Sequence, residues 1–313
     1  MSAPQATATV FGRPVLAPVE DGQVPFWRIV LRGCSQCCFQ TNEVTGAIFL
    51  LAVLAYSWQM AAFMLIGAVV GPAVAIVLRA DRALIELGLF GFNSCLMALA
   101  LGNFCAPEPA LWAAVVLLAA AVAVVAWVMM RLLTFPVIAA PFILTFWVVW
   151  PFAERLGLDK LQFPAFIDER VYYVQASFAA LGATLFAGSV LTGLLFFVGV
   201  LVSNWRHAAI AFAAATLAHI IAVWWGVPGQ QINIGLAGLN AVLCSVAVYA
   251  LCGGDLRVAL LGAVVASAVL RMFAMAGLVP LAAGFVLVTW MVMALGWLQR
   301  RYFDAPPTDA RTG

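Results

Sequence analysis

The sequence predicts an all-α membrane protein: an inverted repeat of two five-span halves, each with a short re-entrant pore helix. Three observations carry the two inverted halves, namely an apolar composition, a motif stated twice, and a sided distribution of basic residues, while the re-entrant helices rest on two apolar stretches too short to cross. Hydrophobic residues make up 66% of the 313 and charged residues only 9%, at a mean hydropathy of +1.09. A soluble domain carries roughly a quarter charged residues, so most of this surface requires lipid rather than water. Apolar runs such as Leu111 to Met130 and Leu256 to Leu270 have the character of membrane spans. The net charge of +2 offers no footprint for a nucleic acid.

The repeat is explicit. Gly88-Leu89-Phe90-Gly91-Phe92-Asn93-Ser94-Cys95-Leu96 returns 147 residues later as Gly235-Leu236-Ala237-Gly238-Leu239-Asn240-Ala241-Val242-Leu243. The same offset carries Thr45-Gly46 onto Thr192-Gly193 and Ser57-Trp58 onto Asn204-Trp205. At an offset of 143, Ala139-Ala140-Pro141-Phe142 lands on Ala282-Ala283-Gly284-Phe285, and Trp147 on Trp290. Two copies of one unit in an apolar chain is a common plan for membrane transporters, with the pathway where the copies meet.

Charges and turn residues divide the chain in order. A polar N-terminal tail, residues 1–27, lacks the basic start and apolar core of a cleavable signal. The first membrane repeat, 28–152, holds predicted spans at 44–57, 60–78, 84–102, 110–130 and 136–152. A connector at 153–170 carries the longest charged cluster and is expected outside. The second repeat, 171–300, holds spans at 190–203, 208–225, 231–251, 256–274 and 279–298. A tail at 301–313, with Pro306-Pro307-Thr308-Asp309-Ala310, is expected in solvent. The first span of each half falls short of the ~20 residues that a full crossing needs. The apolar stretches just upstream, 33–41 and 176–187, either extend those spans or enter and stop as half-membrane helices. They are pore candidates on length alone.

Five spans is an odd number, so the second copy must enter the membrane upside down. With both termini cytoplasmic, Arg13, Arg28, Arg32, Arg79, Arg82, Arg131, Arg206, Arg257, Arg300, Arg301 and Arg311 fall inside. Only Arg155, Lys160, Arg170 and Arg271 fall outside, which is the positive-inside pattern.

Little in the sequence points to enzyme chemistry. Cys34, Cys37 and Cys38 cluster without the second pair or histidine that a zinc site needs, and read as packing residues. No cofactor is implied. His207 reads as interfacial, His219 as a neutral packing residue, and Glu86 as a structural interfacial group. A coupled carrier keeps an ionisable group near mid-membrane, and with His219 read as packing and Glu86 as interfacial the predicted spans offer no convincing one. That favours a passive conduit for a neutral solute over a coupled carrier or a non-conducting assembly protein. Asn93 and Asn240 are amides at membrane depth in both copies, which suggests that they tie down local backbone. Phe39, Phe92 and Phe186 lie in the repeated motifs and could wall a narrow slot, whereas Phe63 reads as a lipid or packing position.

These residues resemble the urea transporters of bacteria and animals. The likeness lies in Gly33-Cys34-Ser35-Gln36-Cys37-Cys38-Phe39-Gln40-Thr41-Asn42 with Thr45-Gly46, in Gly88-x-x-Gly91-Phe92-Asn93-x-x-Leu96, and in Phe135-Pro136-Val137-Ile138-Ala139-Ala140-Pro141-Phe142-x-Leu144-Thr145-x-Trp147. It runs from about 28 to 298, with eroded motifs in the second half. The resemblance implies a multi-pass protein of a cell membrane, the inner membrane in a bacterium. It implies a homotrimer with a pore in each subunit, and planar urea passing edge-on along a ladder of oxygens. It places Gln36 at one mouth, with Cys37, Phe39, Phe92 and Leu96 lining that half of the slot, and Ala183, Thr184, Phe186, Leu239 and Leu243 lining the other. The chain departs from the family pattern at four places. Ala183 stands where a Gln or Glu is expected, Ala139 and Ala282 where central threonines are expected, and Leu239 where a phenylalanine is expected. Urea is therefore the first expectation, and another small neutral solute or amide the alternative.

Overall fold

A computed structural model describes residues 8–20 and 22–303. The predicted C-terminal tail beyond Phe303, with Arg311, lies outside the described residues. The protein is all-α apart from a hairpin of β1 (Thr9–Val10) and β2 (Arg13–Pro14). The first half comprises α1 (Phe26–Ser35), α2 (Glu43–Tyr56), α3 (Trp58–Val77), α4 (Arg82–Glu86), α5 (Leu89–Phe104), α6 (Pro109–Leu132) and α7 (Ala140–Val149). The second comprises α8 (Tyr173–Ala183), α9 (Val190–Ser203), α10 (Trp205–Trp224), α11 (Gly229–Asn233), α12 (Leu239–Leu251), α13 (Leu256–Met275) and α14 (Ala283–Tyr302). Helix for helix, the second half repeats the first.

Polar caps set the helix starts in a chain that is otherwise apolar. Asn42 accepts from Val44 N and Thr45 N at the start of α2, and Ser189 accepts from Thr192 N at the start of α9. Ser57 and Asn204 cap α3 and α10 in the same way. Such caps matter because an unpaired backbone group in lipid costs several kcal/mol.

Helices α3, α6, α10 and α14 are each long and apolar enough to cross a membrane alone. Helix α1 with the 3₁₀ turn Gln36–Cys38 is bent by 73° against α2, the geometry of a broken span or a re-entrant loop. Helices α5, α9 and α12 are shorter apolar helices, as is Ala140–Phe152, and α13 is apolar over Leu256–Leu270.

Two of the predicted continuous spans are broken. The span expected at 84–102 is α4 followed by α5, and that at 231–251 is α11 followed by α12. Gly88 and Gly235 interrupt them at φ +82° and +84°. The spans expected from 136 and 279 begin later, because Ile138 and Leu281 also take positive φ, +43° and +48°. The N-terminal segment, read from sequence as a polar tail, packs onto the body. Phe11 N donates to Val202 O, Asn42 Nδ2 to Thr9 O, and Gly22 N to Glu86 Oε2.

The contacts between halves are reciprocal. Thr45 Oγ1 donates to Gly199 O at 2.7 Å, and its counterpart Thr192 Oγ1 donates to Ala52 O at 3.4 Å. Between them Phe49 stacks on its own counterpart Phe196, centroids 4.2 Å apart and planes within 5°. The pairings advance along α2 as they retreat along α9, so these two helices run antiparallel. At the last helix of each half, Trp147 Nε1 donates to Val279 O and Trp290 Nε1 to Pro136 O, at 2.8 and 2.9 Å.

Candidate solute pathway

Four positions of backbone strain recur in counterpart pairs, and all lie around the predicted slot. Phe39 and Phe186 take left-handed φ of +57° and +56° at the ends of the turns after α1 and α8. Ile138 and Leu281 do so just before α7 and α14. A bulky residue in this region is a genuine outlier, held only where its surroundings over-determine it.

The holding groups are visible. Asn93 Nδ2 donates to Ile138 O at 3.1 Å while Asn93 Oδ1 accepts from Phe142 N at 3.2 Å. Asn240 does the same with Leu281 O at 2.9 Å and Phe285 N at 2.9 Å. Each amide satisfies the backbone on both sides of a break, and both asparagines are fully buried. Gly88 and Gly235 serve a second need. A Cβ there would lie 2.5 Å from Gly33 N and 2.3 Å from Ala180 N, so the backbones of α1 and α8 pass directly over them.

The left-handed turn delivers each phenylalanine to the opposite half. Phe39 meets Phe285 edge-on, centroids 6.2 Å apart, and Phe186 meets Phe142 edge-on at 6.2 Å. Phe142 and Phe285 were quoted in the repeated motif but given no role from sequence, although their 143-residue offset marks them as counterparts.

Of the predicted lining residues, Cys37, Phe92, Leu96, Ala139, Leu243 and Ala282 fall in one buried cluster. Phe39 and Phe186 pack against it, half-buried. Gln36, Ala183, Thr184 and Leu239 lie outside it. Gln36 is half-buried, and its Nε2 donates to Leu87 O and to Thr41 Oγ1, both at 2.9 Å. Thr184 is buried and spends its hydroxyl hydrogen on Leu181 O at 2.6 Å.

Sequence reasoning missed one charged cluster. Glu43, 1% exposed, accepts from Arg28 Nε at 2.6 Å and Arg32 Nε at 2.9 Å through the same Oε1. Arg28 and Arg32, counted as basic residues flanking the membrane, are themselves buried. Their spacing of four on α1 was the available signal. Arg32 Nη1 also donates to Glu86 O, and Arg28 Nη1 to Ala17 O, which links α1, α2, α4 and the N-terminal segment. The counterparts of the trio are Gln175, Ala179 and Val190, so the cluster belongs to one half only. Among the described residues no group of His, Cys, Asp and Glu could hold a metal ion.

Urea transporter 1 of Mus musculus is 33% identical over 75 residues, which is 24% of this chain and 20% of the mouse protein. Urea transporter 1 of Ovis aries is 36% identical over 70 residues, 22% of this chain and 18% of the sheep protein. These alignments span about a fifth of the length of those relatives. A model of the family described as urea transporter matches residues 27–296, from α1 into α14. The chain belongs to the urea transporter family.

Proposed function

We propose that this protein is a passive, channel-like conduit for urea, which crosses through a narrow slot where the two halves meet. One observation carries the reading: each half sends a strained phenylalanine, Phe39 or Phe186, onto the last helix of the other half. Flat aromatic walls suit a planar solute. Gln36, with its amide nitrogen committed to Leu87 O and Thr41, has an oxygen with no partner among the described residues, placed to accept a urea N–H at one mouth. The carbonyls in the turns after α1 and α8, such as Gln36 O and Ala183 O, each accept one N–H within the turn, and their second lone pairs would continue such a ladder. Desolvating an amide without replacement costs several kcal/mol, which is why the ladder is needed.

In this reading the halves are inverted five-span repeats, both termini are cytoplasmic, and three copies assemble, each with its own path. The antiparallel pairing of α2 with α9 and the reciprocal contacts support the inversion. Reporter tags at the two ends that map to opposite sides of the membrane would refute that topology.

The test of function is urea flux into vesicles carrying the purified protein. Saturable flux well above protein-free vesicles, independent of proton and sodium gradients, is expected, and flux equal to bare vesicles sinks the proposal. Phe92→Ala should lower discrimination between urea and larger amides, whereas Leu117→Ala, at a side chain 68% exposed on α6, should not.

A second reading has its own support. Ala139, Ala183, Ala282 and Leu239 remove three polar groups and one aromatic wall that the family pattern expects. A conduit for another small neutral solute or amide follows. A solute panel separates the two, since faster passage of a less polar solute than of urea favours this alternative.

A further inference from the structure

The two halves also differ where the connector leaves the first. In the first half the connector folds back over the junction of α5 and α6. Cys105 pairs with Lys160 in an antiparallel bridge, Ala106 N donates to Asp159 O, and Leu161 N donates to Phe104 O. Phe104 meets Trp150 and Phe163 edge-on at 5.7 and 6.0 Å. The connector can do this because α7 ends early. Pro151 follows it, and the chain leaves through two 3₁₀ turns, Trp150–Phe152 and Glu154–Leu156. Under that cover Cys105 and Leu111 are each 1% exposed.

In the second half α14 continues unbroken to Tyr302, with Ala294 in the place of Pro151. Nothing among the described residues folds back. Leu251 and Val258, counterparts of Phe104 and Leu111, are 40% and 37% exposed. Between α12, α13 and α14 a cavity of about 450 Å³ is left, walled by Leu251, Cys252, Val258, Val292 and Leu295, with Arg300 at its rim. Arg300 folds back along α14, its Nη1 3.6 Å from where a Cβ on Gly296 would sit. It has no hydrogen-bond or ion-pair partner among the described residues. Arg257 and Arg301 are exposed at the same end. Asp255, an acid at the same end, accepts from Arg257 N and Val258 N through Oδ1 at the start of α13 and forms no ion pair with Arg300. The counterparts of Arg300 and Arg257 are Gly157 and Ala110, so the repeated fold does not demand these charges.

We infer that this cavity binds an anionic phospholipid, with an acyl chain filling the place that the connector takes in the first half and the phosphate meeting Arg300. Charge complementarity selects the headgroup, and basic pockets between spans are a recurrent form of such sites. The apolar wall suits an acyl chain, whose contacts fill a space at membrane depth that a headgroup alone would leave void. Residues 304–313 contain no large apolar side chain to fill the cavity, and their two acids, Asp304 and Asp309, are removed in the chain cut after Phe303 below. The inference goes beyond the slot and does not depend on which solute passes through it.

The experiment is thermal unfolding of the full chain in detergent with added dioleoyl lipids. Phosphatidylglycerol should raise the midpoint by about 3 °C or more over phosphatidylcholine of the same chains. Arg300→Gln should abolish that difference, and Arg300→Lys should keep most of it. Val258→Trp, which fills the cavity, should abolish it while leaving the charges in place. Glycerol phosphate without chains should produce no shift. Equal shifts from the two lipids overturn the inference, as does a phosphatidylglycerol preference that survives both Arg300→Gln and Val258→Trp. A shift with glycerol phosphate alone would mean a free-phosphate site. A preference that appears only when the chain is cut after Phe303 would mean that the tail is the occupant.

Discussion

Asn93 and Asn240 make the clearest case for single residues that set a site without lining it. Each amide accepts a backbone N–H and donates to a backbone carbonyl across a strained break. Replacing either by alanine leaves a buried N–H and C=O unpaired, at a cost of about 1–3 kcal/mol. Asn93→Ala and Asn240→Ala should therefore each lower the thermal midpoint by several degrees and reduce solute flux, measured on the same preparation. Asn93→Gln should not rescue, because the longer side chain cannot hold both partners. Glu43 belongs to the same scale. Glu43→Gln keeps the shape and removes the negative charge from between two buried guanidinium groups, a change that destabilises by about 3–5 kcal/mol when a buried pair is broken. Denaturant unfolding of the variant checks it, and a loss below about 1 kcal/mol would mean that the cluster is already hydrated.

At the scale of elements, close approach decides the layout. Helices α1 and α2 cross at Gly46, where a Cβ would sit 1.9 Å from Leu31 O. The counterpart crossing of α8 and α9 is tighter still, a Cβ on Gly193 falling 1.6 Å from Phe178 O. Backbone atoms cannot yield that distance, so Gly46→Ala and Gly193→Ala should each forfeit the folded, monodisperse peak in size-exclusion chromatography. What sequence could and could not say about elements follows from such cases. The starts of α2, α3, α9 and α10 were legible because a polar cap interrupts an apolar run. The breaks at Gly88 and Gly235 were not, since a glycine inside a helix and a glycine at a left-handed break look alike in sequence. The strain at Phe39, Ile138 and their counterparts was equally hidden, because hydrophobic periodicity reports which face a helix buries and carries no information on φ.

At the scale of the molecule, the stacked pair Phe49 and Phe196 joins the halves at the centre of the α2–α9 contact. A double-mutant cycle of Phe49→Ala and Phe196→Ala should show a coupling of about 0.5–1.5 kcal/mol beyond the separate losses. Strict additivity would mean that the rings merely fill space. The existence of two matching halves was legible from the paired motifs. Their reciprocal contacts were not, because one helix pattern names a buried face without naming what covers it.

Reciprocity has a further consequence for what this chain is able to become. An assembly of two separate, identical chains must carry the same residue at both equivalent positions, so any improvement to one wall is imposed on the other. A single chain holding both halves is free of that rule. Phe92 opposite Leu239, Gln36 opposite Ala183, and a charged trio opposite Gln175, Ala179 and Val190 are arrangements that two identical chains could never hold. The covalent link between the halves thus gives the proposed path two ends that can be tuned separately, while the contacts that keep the halves in register stay shared.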